Sequence, residues 1–206
     1  MTKKWLIFIA TIGLIFIAYR LIAIGTFARS LNNSLALPLD SWIPFIPATI
    51  FFYVTIYFFW LPPIISKNVN TREYARIIAA VALAFIVTFA LHIIIPSAYP
   101  RPVLSAEAVE TSWTQYLVQK IYNVDLPNNT FPSSHVVAAV TLMIMVYPYL
   151  KRKAYAAYAS WGALISISTL TVKQHYFIDV VVGVLVSIAC AYAVKKFWPL
   201  PKAVEA

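Results

Sequence analysis

Trp5 to Phe27 reads WLIFIATIGLIFIAYRLIAIGTF, and Arg20 is its only charged residue. A span across the hydrocarbon of a bilayer needs roughly 17 to 25 mostly apolar residues. This stretch meets that length without an acidic residue. It follows Lys3 and Lys4, as a signal peptide would. It is longer than the apolar region of such peptides, has no clear small-residue cleavage site, and carries Arg20 near its far end. The reading is a retained first membrane span.

The rest of the chain repeats the pattern. Apolar stretches over Trp42–Ile65, Tyr74–Ile95, Ser134–Leu150, Ala154–Val172 and Tyr176–Trp198 give five further spans. The expected fold is an all-α integral membrane bundle of six transmembrane helices, one domain over residues 1–206. The fourth span is marginal in length unless Ser133 and Ser134 begin it. Composition agrees: 62% of the 206 residues are hydrophobic and 11% are charged, against about 25% charged in soluble domains. Too few charges are available to make a polar shell. The single cysteine, Cys190, lies in an apolar stretch and reads as a small packing residue.

The net charge of +9 is spread over the ends of the apolar segments. That is a topology signal, not a nucleic-acid surface. With the amino terminus inside, the inner ends hold Lys3, Lys4, Lys67, Arg72, Arg76, Lys151, Arg152, Lys153, Lys195, Lys196 and Lys202. The outer side holds Arg29, Arg101, Lys120 and Lys173, with Arg20 near it. The expectation is a multi-pass protein of the cell membrane with both termini cytoplasmic. The loops carrying Ser97 to Ser134 and Lys173 to His175 then face outward. Trp42, Trp60, Trp161 and Trp198 mark span ends as interfacial anchors. Ser112–Val124 places Trp113, Tyr116, Leu117 and Ile121 at helical spacing, which predicts a short amphipathic helix on the outer surface.

Three polar segments reach that outer face: Tyr99-Pro100-Arg101-Pro102, Phe131-Pro132-Ser133-Ser134-His135, and Lys173-Gln174-His175-Tyr176-Phe177-Ile178-Asp179. His175 and Asp179 are one helical turn apart, so the carboxylate can orient the imidazole and leave the other nitrogen free to attack. An acid inside a span is costly and is a functional candidate by default. The structural alternative is a His–Asp pair that locks two helices. Ser133 and Ser134 open a helix whose free N–H groups favour an anion, and His135 beside them can protonate a leaving oxygen. A plain serine cap with an interfacial histidine is the competing reading. Arg101 can grip phosphate oxygens in a fork, and Lys173 adds a second cation. For both, contact with lipid head groups is the alternative. No spacing of acids suggests a metal site, and a reaction without metal or other cofactor is expected. His92 reads as a packing residue, and Asp40 and Arg29 as flanks of the membrane.

With these residues in view, the chain resembles the type-2 phosphatidic acid phosphatase superfamily of membrane lipid phosphatases and phosphotransferases. Its pattern is K-x6-R-P, then P-S-G-H, then S-R-x5-H-x3-D. Arg101-Pro102 matches the first part, whose lysine falls on Ile94. Pro132-Ser133-Ser134-His135 matches the second, with Ser134 for glycine. Ser168, His175 and Asp179 match the third, whose arginine falls on Thr169. The Lys-Gln-His-Tyr string, the Tyr-Pro-Arg-Pro segment and Ile43-Pro44-Phe45-Ile46-Pro47 are similar to the branch related to inositol phosphorylceramide synthases.

The resemblance implies a bundle with its site at one membrane face. It implies His175 as a nucleophile forming a phosphohistidine, Asp179 orienting it, His135 as general acid, and Arg101 and Ser133 as phosphate ligands. Ser134 and Lys173 join them by placement. The leading expectation is a phosphatase acting on a lipid phosphate ester or pyrophosphate. The alternatives are a phosphotransferase moving a phospho-head group to an alcohol, and a membrane protein that binds lipid phosphate without turnover.

Overall fold

The computed structural model describes residues 2–199, and Lys202 of the inner cations lies outside them. Among the described residues the regular structure is all helical, apart from one isolated bridge between Ala98 and Asn128. α1 spans Thr2–Ser30. The second apolar stretch is three short helices, α2 (Ile50–Val54), α3 (Ile56–Phe59) and α4 (Leu61–Ile65). α5 (Thr71–Ile94) follows a capping box in which Asn70 and Glu73 satisfy each other's backbone N–H. Two surface helices, α6 (Ala106–Thr111) and α7 (Trp113–Val124), precede α8 (Ser134–Val146), α9 (Arg152–Thr171) and α10 (Phe177–Phe197).

Four segments are long and apolar enough to cross a membrane: Lys3–Ser30, Pro47–Ile65, Thr71–Ile94 and Phe177–Phe197. Ser134–Tyr149 is apolar but shorter. The protein is a membrane protein, and its burial pattern is that of a chain solvated by lipid. Leu6, Ile9, Leu14, Phe16, Leu21 and Ile24 on α1 are all exposed. In water such a face would be untenable.

The second stretch departs from the sequence expectation. A continuous helix over Trp42–Ile65 was the reading, yet helical structure starts with a 3₁₀ turn at Pro47–Thr49 and breaks near Thr55 and Trp60. Pro44 and Pro47 lack the N–H that an earlier start would need. At the break, Thr55 Oγ1 accepts a hydrogen bond from Trp161 Nε1 at 2.8 Å. The Phe59 carbonyl, which Pro63 cannot pair, accepts from the Tyr158 hydroxyl of α9 at 2.8 Å and so is met by protein instead of facing lipid.

α5 is central and packs on α1, α8 and α10, while α8 also meets α9 and α10, and α2 meets α9. One end of the bundle gathers basic residues. Lys4 Nζ donates to the carbonyls of Ser66 and Val69, both at 2.9 Å, and Arg76 Nε donates to Trp198 O. The opposite end carries the three polar segments.

Gly183 of α10 lets that helix press against the start of α8. A Cβ there would lie 3.2 Å from both Val136 Cβ and Val136 Cγ1. Gly183→Val is expected to cost about 1–3 kcal/mol through overpacking, read as a fall in detergent-solution Tm together with lost activity. Gly13→Ala on α1, where nothing lies within 4 Å, is expected to hold or raise Tm. Equal behaviour of the two variants would contradict this packing.

Candidate active site

α8 begins at Ser134 because Ser133 caps it, its hydroxyl accepting from Val136 N at 3.5 Å. Ser133 N–H in turn donates to the Asp179 carbonyl at 3.1 Å, which ties the start of α8 to the first turn of α10. α10 has its own cap from an unexpected source. Asp40 is buried, and its Oδ1 accepts from Phe177 N at 2.7 Å while Oδ2 accepts from Leu37 N at 2.7 Å. A residue read as a membrane flank therefore holds the helix that carries Asp179.

These ties bring the two histidines to one cavity. His135 and His175 have ring centroids 6.5 Å apart. His135 stacks on Tyr53 at 4.1 Å. His175 Nδ1 lies 2.9 Å from the Thr130 carbonyl and 3.4 Å from Asp179 Oδ2. Its Nε2 makes no hydrogen bond to any described residue. The backbone carbonyl is thus a closer partner of the imidazole than the carboxylate that the spacing suggested. Asp179 is fully buried, and its Oδ2 also accepts from Tyr176 N at 2.8 Å.

The cavity measures about 350 Å³ and runs between α1, α2–α4 and the start of α8. Its wall is mostly apolar, with Ile12, Phe16, Tyr57 and Trp60 leading away from Ser134, His135 and His175. Ser134 lines it, and its buried Oγ has no hydrogen-bond partner among the described residues. His92 is buried behind, and its Nε2 meets the Pro132 carbonyl at 3.0 Å.

Three of the expected phosphate ligands have protein partners in the structure. Ser133 is buried as a cap. Arg101 Nη1 donates to the carbonyls of Tyr122 at 3.1 Å and Asp125 at 2.7 Å, and Nη2 donates to the Leu126 carbonyl at 3.1 Å and to Gln174 Oε1. Lys173 Nζ donates to the Ile43 carbonyl. Burial pushes the Lys173 ammonium below its ordinary range, against the pull of Asp40. Neither Arg101 nor Lys173 lines the cavity.

Among the polar lining residues that the sequence reading did not place at the site are Tyr19, Arg20, Asp125 and Asn129. Tyr19 hydroxyl donates to Asp125 at 3.1 and 3.2 Å from its two oxygens, and Arg20 Nη1 donates to the Val124 carbonyl at 3.0 Å. Burial holds the Asp125 carboxyl above the usual carboxylate range, against the opposing pull of Arg101 and of the Tyr19 hydroxyl.

A family model described as the PAP2 superfamily matches residues 73–201. The chain belongs to the PAP2 superfamily. The match takes in every residue of the three polar segments and leaves α1 to α4 outside it. Among solved structures, this chain is similar to the crystal structure of Aquifex aeolicus LpxE, at 19% identity and a TM-score of 0.58, over 80% of this chain and 97% of that one. That likeness is one of fold and covers more of the chain than the family model does. No curated protein matches the sequence. Membership of this superfamily supports a lipid phosphatase.

Proposed function

We propose that this protein is a lipid phosphatase that cleaves a phosphate ester or pyrophosphate through a phosphohistidine on His175. The observation that carries the reading is the pair of imidazoles across one cavity, with ring centroids 6.5 Å apart. Both rings line that cavity, so a single phosphoryl group held in it lies beside each of them. His175 donates its Nδ1 proton to the Thr130 carbonyl, with Asp179 behind it. This leaves the Nε2 lone pair for phosphorus. His135 protonates the departing oxygen and then removes a proton from the water that resolves the intermediate. Ser134, with its hydroxyl unengaged, donates to a phosphoryl oxygen. Arg101 and Lys173 reach the phosphate only by giving up carbonyl partners.

In this reading the chain is one domain that crosses the cell membrane six times, with both termini cytoplasmic and the histidines at the outer face. The basic end formed around Lys4 and Arg76 supports that orientation. The apolar arm of the cavity takes the lipid tail. It also shields the intermediate from bulk water, which supports transfer to an alcohol as a second reading with the same residues.

The test is inorganic phosphate release by the purified protein from a panel of lipid phosphates, with chelator present. Release is expected, without a metal requirement. Adding candidate alcohols separates hydrolysis from transfer, because transfer yields a new phospholipid in place of free phosphate. Phosphate-lipid binding without any turnover would sink both enzyme readings.

A further inference from the structure

The cavity is poor in positive charge for a site that handles phosphate. The lysine and second arginine of the family pattern stand here as Ile94 and Thr169. Arg101 is engaged by three backbone carbonyls and Gln174, and Lys173 by Ile43. Among the described lining residues one permanent cation remains, Arg20. It lies on α1, outside the residues matched by the family model.

Arg20 has capacity to spare. Among the described residues its guanidinium makes one hydrogen bond, from Nη1 to the Val124 carbonyl, and no ion pair. An arginine within an apolar span is costly and calls for a reason. Its neighbour Tyr19 holds the Asp125 carboxylate. One turn of α1 thus sets a guanidinium and, through Tyr19, a carboxylate on the wall shared with His135 and His175.

We propose that Arg20 supplies the guanidinium that grips the substrate's phosphoryl oxygens, with Asp125 as the opposing charge that limits how much negative charge the site accepts. This rests on the phosphatase reading of the cavity. A planar fork suits two phosphoryl oxygens, while a carboxylate on the same wall repels them. The two residues therefore act with opposite signs on the same ligand.

Inorganic phosphate is the probe. Its binding to the purified full chain is measured by calorimetry, beside phosphate release from lipid phosphates. Arg20→Gln is expected to weaken binding about tenfold or more, and Arg20→Lys by less. Asp125→Asn is expected to tighten it severalfold. Unchanged binding in Arg20→Gln overturns the proposal. So does equal weakening in Arg20→Gln and Asp125→Asn, the result of merely undocking α1 from the loop after α7. If Arg20→Gln does not fold, the signs of Arg20→Lys and Asp125→Asn still decide. A parent that binds phosphate with these dependences but releases none from lipids keeps the proposal and removes the phosphatase reading. A parent that turns over while Arg20→Gln binds phosphate equally well does the reverse. A parent that neither binds nor turns over removes both.

Discussion

Replacing His175 by alanine is expected to cut phosphate release by at least about 10⁴-fold, the scale on which loss of a covalent nucleophile is felt. The effect falls on kcat, because the cavity walls and Arg20 still bind the substrate. Parent enzyme quenched during turnover should carry acid-labile phosphate, and the variant none. Asp179→Asn is expected to cost less, about 10²-fold, because the Thr130 carbonyl at 2.9 Å already fixes the Nδ1 proton. Full activity in His175→Ala would remove the nucleophile from the mechanism, and labelled phosphate retained on the variant would do so as well.

His135→Ala is expected to lower kcat by about 10²–10⁴-fold on a lipid phosphate, the usual worth of a positioned general acid. The loss should depend on the leaving group. An alkoxide must be protonated as it departs, whereas a nitrophenolate needs little help. The variant is therefore expected to recover most of its rate on a nitrophenyl phosphate ester. An equal loss on both substrates would mean that His135, stacked on Tyr53 at 4.1 Å, serves to shape the cavity and not to move a proton.

The fold was legible where one physical rule dominates. Apolar runs located α1 over Thr2–Ser30, α5 over Thr71–Ile94 and α10 over Phe177–Phe197, each within a turn or so of the expected ends. The amphipathic spacing of Trp113, Tyr116 and Ile121 anticipated α7. Proline chemistry was underweighted, and the second stretch is broken where a single helix was expected.

The site was legible in part because its motifs carry local geometry. Pro132 to His135 is a capped helix start, and Asp179 falls in the first turn of α10, although His175 lies in the bend just before that helix and not on its face. The wall built by Tyr19, Arg20, Asp125 and Asn129 was not legible, since it joins α1 to a loop about a hundred positions later, with bonds such as Tyr19 to Asp125. No spacing rule links residues so far apart. For the same reason the sequence did not show that the Arg101 guanidinium ties the carbonyls of Tyr122, Asp125 and Leu126 together.

α8 and α10 are bolted to each other by Ser133 N–H to the Asp179 carbonyl at 3.1 Å and by Ser187 Oγ to the Val137 carbonyl at 3.2 Å. α1 is 29 residues long with one flank in lipid, whereas α8 has 13 residues and lies inside the bundle. A bilayer that thins or thickens acts on the long outer helix by tilting it. The inner pair has little contact with that change. The separation of the two imidazoles is thereby insulated from the host's acyl-chain length, and adaptation to a new membrane falls to α1 and the broken second stretch.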